Sequence, residues 1–139
     1  MLFRSRIEAP LIGKVVKQDQ PDLKLHRGPH PASLLSPVSG VITATNPKLR
    51  EPGGLSNQDP YAEGWIVRIH PDNLRRDLRQ LMFSRETENF LEQEVDHLYR
   101  LIEDTAGPLA ADGGYLGSDI YGNIPEIGWN RLTKTFLRT

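Results

Sequence analysis

The stretch "SPVSGVITATNPKLREPGGLSNQDPYAEGWIVRIHP", residues 36–71, holds the patterns that decide the fold. Its last segment alternates cleanly. Trp65, Val67 and Ile69 fall on one face and Arg68 and His70 on the other, the period of a strand half-buried against a core. Residues 41–45 repeat that period, with Ile42 and Ala44 opposed to Val41, Thr43 and Thr45. Between the two runs, Asn57 and Asp59 suit turn amides and Pro60 presets φ for a turn. Ser36-Pro37-Val38-Ser39-Gly40 reads as a bend leading into the first run.

Working outward, "FRSRI" at residues 3–7 sends Phe3 and Ile7 one way and Arg4 and Arg6 the other. Gly13, Gly40 and Gly53-Gly54 punctuate the short runs, and many short strands with such turns favour a small sandwich or barrel. The texture changes after His70-Pro71. Leu74, Leu78 and Leu81 fall at helical spacing, with Asp72 available as a cap. A longer helix is predicted from Arg85 to Glu103, capped by Ser84, with Phe90, Leu91, Val95, Leu98 and Ile102 as its apolar stripe. Glu86 and Glu88 suit the positive end of its dipole. Asp112-Gly113 has the composition of a hairpin turn, and Trp129, Leu132 and Phe136 mark a short C-terminal amphipathic helix. The expected division is a β domain over residues 1–71, two helices packing on it over 72–105, and a glycine-rich segment with a short helix over 106–139.

Composition narrows the function classes. Among 139 residues, 37% are hydrophobic and 25% charged, the profile of a globular chain. The net charge of −1 provides no bulk field for nucleic acid or anionic lipid. Arg75, Arg76 and Arg79 cluster, but Asp72 and Asp77 sit among them, as on a solvated helix face. The chain has no cysteine, which excludes disulfides, thiolate metal sites and cysteine nucleophiles. The N-terminal residues lack an apolar run long enough for a signal peptide or a membrane helix, so a cytoplasmic location is expected.

Pro37, Gly40, Asn46, Leu55, Asn57, Asp59-Pro60-Tyr61 and Gly64-Trp65, in one order and with matching gaps, resemble the H protein of the glycine cleavage system. The likeness extends upstream through "IEAPLIGKVVK", where Glu8, Pro10 and Gly13 keep the family's spacing, and covers roughly residues 5 to 82. It implies a mainly β, lipoyl/biotinyl-type sandwich (a barrel-sandwich hybrid) followed here by a helical extension. In that family a hairpin tip presents a lysine that carries lipoic acid through an amide, and the arm shuttles aminomethyl groups between enzymes. Counting back from Pro37 by the family's gap lands on Pro29, and the gap from Gly13 to Pro37 also matches. The tip here reads Gly28-Pro29-His30-Pro31, and proline has no side-chain amine to acylate. The two prolines predict a stiff, non-hydrogen-bonded loop in place of a regular hairpin. The resemblance also implies N-terminal strands that form part of the family's arm-binding cleft, and no counterpart to them is expected here.

The leading expectation is therefore an H-protein-like domain, unlipoylated at the usual position and without bound cofactor. It would act without catalysis as a scaffold for glycine-cleavage or lipoate-handling enzymes, with homodimerisation open. Tyr61 and Glu63 are the expected partner contacts, although the loop that holds them also reads as a folded connection. One rival is a true carrier using Lys24, the lysine closest to the tip, whose place beside Leu23 and Leu25 otherwise reads as an outward-facing strand residue. Another is a metal protein or enzyme in which His26, His30 or His70 meets Asp112 or Asp119. The Gly-Pro spacer does not fix the histidine separation, and no metal is expected there. Glu92, Glu94 and Asp96 read as the wet face of the long helix, and no phosphate loop, nucleophile elbow or metalloprotease motif is present.

Overall fold

The computed structural model describes residues 5–50, 55–107 and 120–139. Six strands form two three-stranded antiparallel sheets, ordered β1-β3-β4 and β2-β5-β6. They are β1 Ser5–Glu8, β2 Val15–Val16, β3 Leu23–Arg27, β4 His30–Leu34, β5 Gly40–Thr45 and β6 Val67–Pro71. Helices follow, so the expected mainly β architecture with C-terminal helices holds. The chain divides into two compact units, Met1–Leu81 with Thr139, and Met82–Arg138. Among the described residues no helix is long and apolar enough to cross a membrane.

The alternation in the sequence does what it predicts in the first unit. Leu23 and Ala32 from one sheet and Val16 and Ile42 from the other are its buried apolar side chains. In β6, Val67 and Ile69 are half-buried while Arg68 and His70 are exposed. The strand begins at Val67, so Trp65 stands ahead of it, half-buried, with the Arg68 guanidinium 4.8 Å above its ring. The β5–β6 register shifts between Ile42 and Ala44, which makes Thr43 a bulge residue. Gly40 is required by packing: a Cβ there would run into the His70 carbonyl oxygen. Phe3 and Arg4 lie outside the described residues.

A short helix α1 spans Leu55–Gln58, and α2 spans Leu74–Leu78. Asn73, not Asp72, caps α2: its side-chain oxygen accepts from the Arg76 N–H at 3.0 Å. The helix buries Asp77 and leaves Leu74 and Leu78 exposed, the reverse of the solvated-aspartate reading.

The second unit centres on α3, Arg85–Ala106. Ser84 holds the N-cap position, but its hydroxyl makes no capping bond. Leu101 and Ile102 are buried with Ile127, and Leu98, Ile120, Ile124, Leu132 and Phe136 pack around them. Leu91 and Val95, expected in the same apolar stripe, are exposed. Ile120–Asn123 (α4) and Trp129–Leu132 (α5) are short, and α5 continues into a π-helical turn, Thr133–Leu137. Leu132 and Phe136 join the core as expected, whereas Trp129 meets Tyr121 edge-on at 5.2 Å. The Asp112-Gly113 turn lies outside the described residues.

Candidate functional site

The tip of the first unit is a two-residue hairpin. β3 and β4 pair from Leu23↔Leu34 through His26↔Pro31 to Arg27↔His30, and Gly28-Pro29 connects them. Gly28 has φ +55°, and a positive φ followed by proline's fixed negative one is the sign pattern of a type II′ turn. This corrects the expectation of a non-hydrogen-bonded loop. In such a hairpin the residues flanking the turn form a hydrogen-bonded pair and the next rung a non-hydrogen-bonded one. Pro31 occupies that next rung, on an edge strand, where its missing N–H would point away from β3. Pro29 sits in the turn, where no N–H is needed. Both prolines thus fit the ladder, and Gly28 and Pro29 are exposed at the apex.

Behind the tip, His26 Nε2 lies 3.1 Å from Glu8 Oε2 and braces β3 against β1. That hydrogen bond, helped by nearby positive charge, holds the Glu8 carboxyl below its ordinary range against some desolvation. His26 and His30 belong to successive rungs and so point to opposite faces of the sheet, while His70 is on β6 of the other sheet. Asp112 and Asp119 lie outside the described residues. Among the described residues, no three histidine or acidic side chains are grouped to hold a metal ion. Lys24 lies within the β3 ladder, between Glu8 and Ser33, and is exposed. Three strand steps, roughly 10 Å, separate it from Arg27, where the turn to Pro29 begins.

The bend at residues 36–40 is held by buried polar contacts. Ser36 is fully buried; its N–H donates to the Gln20 carbonyl at 2.9 Å and its hydroxyl to the Val38 carbonyl at 2.8 Å. The Ser39 N–H donates to Asp77 Oδ2 at 2.8 Å, and the Ser39 hydroxyl accepts from the Gln18 N–H at 2.9 Å. Gln18 Nε2 donates to the carbonyls of Pro37 and Asp77, and Arg76 Nε donates to Asp77 Oδ1 at 3.0 Å. The Ser39 hydrogen bond, with Arg76, keeps the Asp77 carboxyl below its ordinary value of 3.8 despite burial. Gln18 and Asp77 were not foreseen as a pair; the arginines around Asp77 suggested a wet helix face. No local sequence signal marks Asp77, because the Ser39 N–H that holds it inward lies 38 residues away.

The loop carrying Tyr61 and Glu63 is equally well tied. Asn46 is buried and donates to the carbonyls of Glu63 and Trp65, both at 2.8 Å. Asp59 accepts from the Glu63 N–H at 3.1 Å, Ser56 donates to the Gly64 carbonyl at 2.8 Å, and Lys48 pairs with Glu63. On this frame the Tyr61 side chain stands 100% exposed. A separate cleft of about 500 Å³ is lined by Ile7, Pro10, Leu11, Ile12, Asn46 and Leu49.

The family model described as "Glycine cleavage H-protein" matches residues 5–94. Glycine cleavage system H protein 2 of Aquifex aeolicus is 35% identical over 95 residues, 68% of this chain and 58% of that one. The H protein of Thermus thermophilus is 33% identical over 89 residues, 64% of this chain and 69% of that one. The mitochondrial H protein of Mesembryanthemum crystallinum is 45% identical over 62 residues, 45% of this chain and 37% of that one. A crystal structure of the H protein from Mycobacterium marinum superposes with a TM-score of 0.44 at 22% identity, over 48% of this chain and 53% of that one. The chain thus spans less than two thirds of several of the relatives it matches.

Proposed function

The chain belongs to the glycine cleavage H-protein family, and we propose that it works within that family as an unlipoylated, non-catalytic module acting through protein contacts. One observation carries the reading. The apex where the family resemblance calls for a lysine is a well-formed Gly28-Pro29 turn. A carrier arm needs a primary amine on a long flexible stem. A pyrrolidine ring offers neither the amine nor the stem, while it stiffens the turn that displays it. The frame around the apex has a continuous β3–β4 register, a His26–Glu8 brace and a buried Asp77 latch, so it offers a defined surface for recognition without an arm.

The partners that fit are enzymes that already recognise this frame, those of glycine cleavage or of lipoate attachment. Tyr61 and Glu63 are the proposed contacts: an exposed aromatic on a loop fixed by Asn46, Ser56 and Asp59 loses little entropy on binding. The rival in which Lys24 carries lipoate has less support, because that amine rises from the middle of a ladder and not from an exposed turn. A pull-down of purified glycine-cleavage and lipoate-ligase enzymes, with the wild-type chain and with Tyr61→Ala, tests the reading. Retention by the wild type and loss in the variant supports it. Failure to retain any of these enzymes overturns it.

A further inference from the structure

The apolar stripe of α3 is covered at one end and open at the other. Its C-terminal half, Leu98 and Ile102, is packed in the core of the second unit. Its N-terminal half continues in line through Val95 and Leu91, which are 46% and 55% exposed. Leu91 and Val95 are four residues apart, so they form one column on the helix. The next column is acidic: Glu92 and Asp96 follow them by one position each, and both are exposed. Glu88 extends the same rim.

Helix α2 presents the opposite chemistry at the same spacing. Leu74 and Leu78 form an exposed apolar column, also four apart, and Arg75 and Arg79 follow them by one position each. None of the four charged side chains Arg75, Arg79, Glu92 and Asp96 has an ion-pair or hydrogen-bond partner among the described residues. Arg76, by contrast, is engaged by Asp77.

We propose that the chain self-associates, with the Leu74/Leu78–Arg75/Arg79 face of α2 in one copy seated on the Leu91/Val95–Glu92/Asp96 face of α3 in a second copy. Helix geometry sets the orientation. On two helices packed face to face, the columns one residue beyond the apolar column meet only when the helices run antiparallel. Arg75 then faces Asp96, and Arg79 faces Glu92. The rise between each pair of like charges is the same four residues, about 6 Å, so both ion pairs form in one register. In the same antiparallel arrangement, α3 on α3 would set carboxylates against carboxylates, and α2 on α2 arginine against arginine. The proposal is independent of whether the hairpin tip carries lipoate.

The test is sedimentation velocity over the micromolar range on the full chain, using two charge-reversed proteins. One carries Arg75→Glu and Arg79→Glu, the other Glu92→Lys and Asp96→Lys; all four positions are exposed, and circular dichroism checks the fold of each. The wild type is expected to dimerise, more weakly as salt is raised. Each reversed protein by itself is expected to dissociate at least about tenfold more readily. An equimolar mixture of the two restores opposite charges wherever α2 of one protein meets α3 of the other and is expected to recover the wild-type sedimentation. A wild type that stays monomeric overturns the proposal. So does a dimer indifferent to both reversals, or a mixture that fails to associate where the wild type does.

Discussion

Asp77 Oδ2 accepts the Ser39 N–H at 2.8 Å, joining residues 38 positions apart through a fully buried carboxylate. The bend that leads into β5 is thereby fixed to α2, and Gln18 ties the same point to the chain between β2 and β3. Asp77→Ala leaves the Ser39 N–H without its acceptor and Arg76 without its ion pair, and unmade buried hydrogen bonds cost more than made ones contribute. The expected result is a melting temperature lowered by several degrees, with Asp77→Asn intermediate, measured by calorimetry.

The same carboxylate sets an acid limit. Its folded pKa lies below the ordinary 3.8, so its stabilisation is complete above 3.8 and is lost as pH falls through the folded value. Glu8, lowered by His26, adds in the same direction from its own ordinary value of 4.5. Denaturation midpoints across the acid range should fall with pH in the wild type and fall less steeply in Asp77→Asn.

Backbone geometry predicts opposite outcomes at neighbouring tip positions. Gly28→Ala places a Cβ at φ +55° and is expected to cost about 1 kcal/mol. Pro31→Ala adds an N–H that points away from β3 and should change stability by no more than about 0.5 kcal/mol. Urea midpoints of the two variants check this, and a large loss in Pro31→Ala would contradict the assigned register.

Gly40→Ala must move the β5–β6 pair, because the new methyl meets the His70 carbonyl oxygen. The expected cost is at least about 1–3 kcal/mol, the range of overpacking, read from the same urea transitions.

What the sequence disclosed was set by how local the physics is. Alternation in VRIH and VITAT places Ile69 and Ile42 inward because a strand's faces follow from single-residue steps. Where an outcome depends on which rung a residue joins, sequence reading falls short. Pro31 looked like a ladder breaker, yet the two-residue turn puts it on a rung that uses no N–H. Asp77 looked wet among arginines, yet the partner that draws it inward lies 38 residues away. The α3 stripe was read as one continuous core face, although the segments at residues 120–137 cover only its C-terminal half. The tip residues and the exposed Tyr61 were legible through the family spacing, while the latch behind them was not.

The central claim is that the apex of this H-protein frame cannot be acylated. Intact mass spectrometry after co-expression with a lipoate ligase and added lipoate tests it most directly, with Pro29→Lys prepared in parallel. An unchanged mass for the wild type and a single lipoyl adduct on Pro29→Lys is the predicted outcome. A lipoyl adduct on the wild-type chain, at Lys24 or any other lysine, would contradict the account.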